Sequence, residues 1–201
     1  SSIRKQLHNR PFIRNTVKEG DNIWLGQDSE PIALYLPKAG TIAFDKNVST
    51  ISRPSVTDFC KRQDEQGIWG KEQNLLYHLW YDGHTVQSRV ETKARGNINC
   101  ILDAGDGEVY IGHQEGIDIY HTTAKMISSL PISAKQVVAI LKARDGNLYY
   151  ASDENHLTCY NPRQGKRMIL VKSEITDMAE DENGYIWAPT HHCDLLCHHP
   201  A

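Results

Sequence analysis

A short phrase recurs five times along this chain, at intervals of about forty residues. Each copy has a polar or glycine-containing turn, an apolar residue, an aromatic residue and, within two positions, a small residue. The aromatic positions are Trp24, Trp69, Tyr110, Tyr149 and Trp187, and they are separated by 45, 41, 39 and 38 residues. A regular period of about 20 to 50 residues is the signature of a repeat architecture. This repeat constrains the fold more than any other feature of the sequence.

The third copy shows most clearly what one unit forms. Residues 98–103 and 108–112 are apolar and rich in β-branched or aromatic side chains, and Asp106-Gly107 lies in the turn between them. An Asp-Gly pair between apolar runs is a strong hairpin signal. Residues 117–120 and 126–130 predict a third and a fourth strand. Four short antiparallel strands in a repeat of about 40 residues form one blade of a β-propeller.

The predicted fold is therefore an all-β propeller of about five four-stranded antiparallel blades. We expect one domain over residues 1–201, with repeats at approximately 10–52, 53–96, 97–135, 136–173 and 174–201. The fifth repeat stops after its third strand, and residues 2–8 precede the first repeat. These residues could supply the missing outer strand and close a five-blade ring. The alternative is an open array from a larger propeller.

The repeated aromatic residues are expected to pack between adjacent blades, because a blade cannot bury both of its faces alone. A large ring suits that gap. A second interpretation, a platform on which sugars stack, is less favoured because a residue present in every unit serves the repeat.

Composition excludes several classes of protein. The chain has 201 residues and a net charge of -3, with no basic stripe, so nucleic acid is not an expected partner. The longest apolar run, residues 137–141, is too short to span a bilayer. No signal peptide is visible at the N-terminus. The five cysteines are an odd number and are interpreted as small apolar core residues.

Several copies carry a longer motif that resembles a known family. The second copy reads Val56-Thr57-Asp58-Phe59 and then Gly67-Ile68-Trp69-Gly70, and the fifth reads Ile175-Thr176-Asp177-Met178 and then Gly184-Tyr185-Ile186-Trp187. This pattern resembles the two-component regulator propeller repeat. That family forms the periplasmic sensor region of hybrid two-component systems, especially in Bacteroidetes.

The resemblance implies a non-catalytic sensor that responds to carbohydrate breakdown products. It implies a periplasmic location, contact with the membrane only through parts of the full-length protein absent from this chain, and a homodimer of the full-length sensor as a further expectation. An oligosaccharide is the expected ligand, and no cofactor is expected.

A ligand is expected at the mouth of the propeller, where the loops between second and third strands converge. Loops positioned by a rigid scaffold commonly carry function. The candidate ligand-binding residues in these loops are Asp28, Glu30, Lys71, Glu72, His113, Gln114, Asp153, Glu154, His191 and His192.

Two kinds of chemistry remain as alternatives. Cys193 and Cys197 lie among four histidines, which raises the alternative of a metal site, but the segment aligns with the third strand of the preceding unit and no metal site is expected. His113 and His191 fall in mouth loops, which leaves a small propeller lyase or hydrolase as the alternative enzyme. No catalytic residue is assigned, because no nucleophile motif is present. A third alternative is a scaffold that binds other proteins.

Overall fold

The structure is a computed structural model that describes residues 13–27, 32–44, 59–152, 156–192 and 194–200. The described residues form 19 β-strands, and among them there is no helix, so none is long and apolar enough to cross a membrane. Residues 2–8, one of whose two predicted roles is to close a five-blade ring, lie outside the described residues.

Each of the first four sheets is an antiparallel meander of four strands. The first contains β1 (Ile13–Glu19), β2 (Asn22–Gln27), β3 (Ala33–Leu36) and β4 (Thr41–Phe44). The second contains β5 (Cys60–Lys61), β6 (Ile68–Glu72), β7 (Leu75–Tyr81) and β8 (Val86–Lys93). The third contains β9 (Ile98–Asp103), β10 (Glu108–His113), β11 (Gly116–His121) and β12 (Met126–Ser129).

The fourth sheet contains β13 (Ala139–Lys142), β14 (Leu148–Ala151), β15 (Leu157–Asn161) and β16 (Lys166–Val171). The fifth has three described strands, β17 (Ala179–Glu180), β18 (Ile186–Pro189) and β19 (Leu195–His198). Five antiparallel sheets in chain order, one for each copy of the repeat, confirm the predicted propeller architecture.

The sheets lie side by side around a common centre. The first strands contact one another from sheet to sheet: β1 contacts β5, β5 contacts β9, and β9 contacts β13. Because each sheet is a meander, two faces of the propeller can be distinguished. The mouth face carries the loops between second and third strands and the connections between sheets. The opposite face, here called the turn face, carries the turns that follow the first and third strands.

The repeated aromatic residues pack in the seams between neighbouring sheets, as predicted. Trp24 and Trp69 are fully buried, Tyr149 is almost so, and Tyr110 is 7% exposed. Each lies in a cluster with apolar residues of the sheet that follows; Trp69, for example, packs with Ile98 and Val109. At about 25 cal/mol per Å² and about 200 Å² per ring, burial of one such side chain contributes up to about 5 kcal/mol.

The fifth aromatic residue differs from the other four. Trp187 is only half-buried, and Leu195 on the next strand is 62% exposed. Leu25 and Ala33 of the first sheet form their own apolar cluster, separate from the four seams. Within the described residues, the first and fifth sheets therefore each keep one apolar face that packs on no other sheet.

Candidate functional site

A cavity of about 260 Å³ lies at the centre of the propeller, and every sheet contributes to its wall. Each sheet supplies residues from its first strand or from just before it; one from each sheet, in chain order, is Asn15, Phe59, Ile101, Ala139 and Asp177. These residues lie near the starts of the first strands. Since a first strand ends at the turn face, its start lies on the mouth face, and the cavity is therefore placed towards the mouth.

The polar groups of this cavity come from the first and fifth sheets. Asn15 donates from Nδ2 to the carbonyl oxygen of Phe59, 3.3 Å away, which ties the first sheet to the second. Asp177 is exposed and accepts a 2.8 Å hydrogen bond from the backbone N–H of Met178. Thr176 is held to the carbonyl of Pro189 by both its backbone N–H and its hydroxyl. A carboxylate, an amide and a hydroxyl thus border one small cavity.

The loop residues predicted from the sequence are in part occupied by structural contacts. Lys71 Nζ donates to the carbonyl oxygen of Ile98 at 2.6 Å and so ties the second sheet to the third. Glu72 is buried, and this burial raises the pKa of its carboxyl group. The hydroxyl of Tyr77 lies 3.5 Å from Glu72 Oε2. Both predicted residues therefore support the loop rather than presenting open charges to the mouth.

His113 and Gln114 also serve the scaffold. The side chain of His113 is fully buried; Nδ1 accepts the backbone N–H of Glu115 at 3.0 Å, and Nε2 lies 3.1 Å from Asp118 Oδ2. The tautomer with its proton on Nε2 fits both contacts. The backbone of Gln114 bonds to Asn97 and to Gln136 in the connections on either side of the sheet. His113 lies where a substrate cannot reach it, which argues against a catalytic role.

Asp118 is the centre of the buried polar cluster to which His113 belongs. It accepts hydrogen bonds from Arg95 Nε at 2.8 Å and from Ser129 Oγ at 2.8 Å. Burial of the carboxyl group raises its pKa, but the close contact with His113 and the hydrogen bonds from Arg95 and Ser129 outweigh this effect, and the pKa of Asp118 lies far below its usual range. The serine bonds to the aspartate and not to the histidine, so these residues do not form a nucleophilic triad.

His191 and His192 are exposed at the rim of the mouth. The backbone N–H of His191 donates to the carbonyl of Glu174 at 2.9 Å, and the two rings stand edge to face, 5.9 Å apart. Four predicted loop residues, Asp28, Glu30, Asp153 and Glu154, lie outside the described residues. The structure therefore describes only part of the predicted set of loop residues.

The described ranges contain no group of three or more His, Cys, Asp or Glu side chains arranged to hold a metal ion. Cys197 is an exposed free cysteine, and Cys193 lies outside the described residues. Cys159 and Cys197 occupy the same register, since each pairs with the repeated aromatic of its sheet. The two third strands align as predicted, but the expectation that Cys197 is a core residue is wrong, because its side chain is exposed.

Sequence reasoning missed Asn15, Thr176 and Asp177 as site residues. The available signal was the Ile-Thr-Asp phrase before the first strand of the fifth unit. In the fifth unit the phrase comes just before the first strand, and its second and third residues, Thr176 and Asp177, border the central cavity.

No family model matches this sequence, and no curated protein matches it either. Solved structures resemble it more clearly. The extracellular domain of the hybrid two-component system BT4673 from B. thetaiotaomicron aligns with a TM-score of 0.70 and 20% identity, over 94% of this chain and 26% of that domain. The extracellular domain of the hybrid two-component system BT3049 from the same organism aligns with a TM-score of 0.68 and 15% identity, over 89% and 26%.

The WD40 propeller domain of Doa1 aligns with a TM-score of 0.67 and 11% identity, over 92% of this chain and 62% of that one. These likenesses establish the propeller fold. The first two structures come from the class of protein that the repeat motif resembles, and this chain spans about a quarter of their length.

Proposed function

We propose that this chain is a non-catalytic, ligand-binding propeller from the extracytoplasmic sensor region of a two-component signalling system, and that its ligand is a carbohydrate. The proposal combines the motif resemblance with the structural likeness to two extracellular domains of such systems. We further propose that the sensor is periplasmic and that its remaining parts provide the membrane anchor and the signalling output.

The observation that carries the ligand-binding proposal is the central cavity. All five sheets contribute to its wall, so a molecule bound there contacts every blade at once. Asn15, Thr176 and Asp177 supply an amide, a hydroxyl and a carboxylate, which are the groups that hydrogen-bond to sugar hydroxyls. The cavity is small, which favours one sugar ring or the end of a chain over a long oligosaccharide.

The test is calorimetric titration of the purified chain with a panel of oligosaccharides. We expect binding of at least one glycan and a clear loss of affinity in Asp177→Asn, which keeps the size of the side chain and removes its charge. Glu182→Gln is the matched control, because Glu182 is exposed in a turn of the same sheet on the turn face. The His191→Ala and His192→Ala double variant tests the rim.

Two results would contradict the proposal. One is equal affinity in Asp177→Asn and Glu182→Gln, which would place the ligand elsewhere. The other is turnover of the glycan by the purified chain, which would establish an enzyme in place of a sensor.

A further inference from the structure

A second pocket, here called the Trp80 pocket, lies on the turn face of the second sheet, on the opposite side of the propeller from the central cavity. It has a volume of about 340 Å³ and is lined by Glu65, Gln66, His78, Trp80 and Arg89. The two aromatic rings stack with their centroids 4.8 Å apart. The pocket is open to solvent and belongs to one sheet alone.

His78 breaks the pattern of the repeat. In every sheet, one residue of the third strand pairs directly with the repeated aromatic. In the other four sheets this residue is apolar or a cysteine, and the set is Leu34, Ile119, Cys159 and Cys197. In the second sheet it is His78, which pairs with Trp69 and is 5% exposed. Burying a polar group costs free energy unless its hydrogen bonds are made, so packing alone does not account for this histidine.

One ring nitrogen of His78 has no hydrogen-bond partner among the described residues. Nε2 lies 2.7 Å from the carbonyl oxygen of Gln66, so Nε2 carries the proton of the neutral ring. Nδ1 is then an acceptor, and Glu91 Oε1, 4.0 Å from it, is an acceptor too. Nδ1 has almost no exposed surface, so a hydroxyl group in the pocket would donate to it, and complete the hydrogen bonding of the ring, once the His78 side chain turns towards the pocket.

The charges around the pocket balance one another. Three cations, Arg62, Arg89 and Lys125, stand against three carboxylates, Asp64, Glu65 and Glu91. They are joined in ion pairs: Arg62 with Asp64 and Glu65, and Arg89 and Lys125 with Glu91. Since no cation or carboxylate of this group is left without an opposite charge, the pocket has no electrostatic preference for an ionic ligand.

Trp80 provides the apolar surface of the pocket. Its ring is partly exposed, with His78 stacked on it and the guanidinium carbon of Arg89 5.7 Å from its centroid. It is the single tryptophan of the chain that lies outside the repeat phase. The equivalent position is Leu36 in the first sheet and His121 in the third, counted from the paired aromatic. An amphipathic ring beside an amide, a carboxylate and an imidazole offers both an apolar and a hydrogen-bonding surface.

We propose that the Trp80 pocket binds a neutral, hydroxyl-rich ring such as a pyranose, as a site separate from the central cavity. The apolar face of the sugar packs on Trp80, one hydroxyl donates to His78 Nδ1, and others bond to Glu65 and Gln66. This inference does not depend on the proposed sensor function, because it concerns residues on the opposite face.

The test is a nuclear magnetic resonance titration of the ¹⁵N-labelled chain, followed through the indole N–H signals of its four tryptophans. The indoles of Trp24, Trp69 and Trp187 donate to carboxylates within the protein and serve as internal references. The probes are neutral oligosaccharides of glucose, mannose, galactose and xylose, with an oligogalacturonide as the acidic probe. We expect a neutral probe to shift the Trp80 signal and the acidic probe to leave it unchanged.

Two variants test the contacts. His78→Leu installs the residue that the first sheet carries at this position, so the seam should remain folded while the acceptor is lost. Trp80→Ala removes the apolar surface and also the indole reporter, so binding to this variant is followed through the backbone N–H signals of Glu65 and Gln66 in the same spectra. Each should weaken binding at least about tenfold, equivalent to about 1.4 kcal/mol. Tyr185→Ala is the control, because Tyr185 is an exposed aromatic that contacts a histidine ring in the fifth sheet.

The proposal is overturned if no neutral saccharide shifts the Trp80 signal at millimolar concentration, if the acidic probe binds better, or if both variants bind as the unaltered chain does. Asp177→Asn separates this site from the central cavity. An unchanged response of the Trp80 signal in that variant supports two independent sites, whereas loss of the response in that variant contradicts a separate pocket.

Discussion

The substitution Trp69→Phe tests how the seams hold neighbouring sheets together. Trp69 is fully buried, and its indole N–H donates to Asp103 Oδ2 across the seam at 2.7 Å. The guanidinium carbon of Arg62 lies 4.4 Å from the ring centroid, and the ring of Tyr120 meets it edge-on at 6.0 Å. Phenylalanine keeps an aromatic ring in the seam but removes the donor and part of the apolar surface.

The expected cost follows from these contacts. A hydrogen bond to a charged acceptor contributes about 1.5 to 3 kcal/mol, and a weakened cation–π contact costs a further ~0.5 to 1 kcal/mol. Asp103 keeps its bonds from the backbone N–H groups of Gln63 and Gly105, so no carboxylate is left without a partner. We therefore expect Trp69→Phe to lower the free energy of unfolding by about 3 kcal/mol, or the thermal midpoint by ~6 to 12 °C.

The matched control is Trp187→Phe, which makes the same change at the equivalent position of the fifth sheet. Its indole donates to Asp181 at 2.8 Å, but the ring is half-buried and packs on no following sheet among the described residues. We expect a clearly smaller loss. Unfolding in urea is followed by far-ultraviolet circular dichroism, since each variant lacks one fluorophore. Equal losses in the two variants would refute the argument that the seam, rather than the local turn, gives the repeated aromatic its importance.

Three further predictions concern the buried cluster, the turns and the ring. Because the pKa of Asp118 is lowered in the folded state, its contribution is present above the unfolded pKa of about 3.9 and is lost as pH falls below it. Asp118→Asn should cost about 3 kcal/mol at neutral pH and flatten the acid limb of the stability curve; an unaltered acid limb would contradict this assignment. Gly67→Ala should destabilise the fold strongly, because the added Cβ would lie 2.0 Å from Leu79 O and φ is +106°. Gly146→Ala is the control, because its φ is also positive but the added Cβ meets open space, and it should cost about 1 kcal/mol. Similar melting curves for the two variants would argue against the steric explanation. Deletion of residues 1–8 should lower the thermal midpoint if they form the outer strand of the fifth sheet, and an unchanged midpoint would favour an open array.

Much of the fold could be predicted because the same structural pattern occurs five times in the sequence. A strand, a turn and a seam aromatic recur at the same spacing, so the clearest copies define the corresponding positions in the less clear ones. Tyr110 and Tyr149 could be placed in seams without any structure, because they occupy the phase of Trp24 and Trp69. The burial of both tyrosines agrees with that placement.

The site residues could be predicted only in part, because they depend on contacts between units. His113 looks like a mouth residue in the sequence, but Asp118 on the adjacent strand and Arg95 in the preceding connection draw it into the protein. Asp177 reaches the central cavity only because five first strands are arranged around one centre. Neither fact is contained in a local pattern, since each needs the register of one sheet and the position of the next.

The seams also show why these five units are not interchangeable. The last residue of the first strand alternates in sign from the second sheet to the fifth, as Lys61, Asp103, Lys142 and Glu180. Asp103 accepts the backbone N–H of Gln63 in the preceding sheet, and Glu180 likewise accepts that of Arg144.

Lys142 occupies the position in the fourth sheet that Asp103 occupies in the third, but it carries a positive charge. Its partners are accordingly carboxylates, Asp106 and Glu108 of the third sheet. Exchanging the third and fourth units would place Lys142 against the backbone donor of Gln63, and Glu180 of the fifth unit against the carboxylates of Asp106 and Glu108. Such mismatches cost free energy without changing the apolar core. The apolar phase of the repeat is shared by all five units, whereas the charged contacts at the ends of the first strands differ from seam to seam and oppose an exchange of neighbouring units.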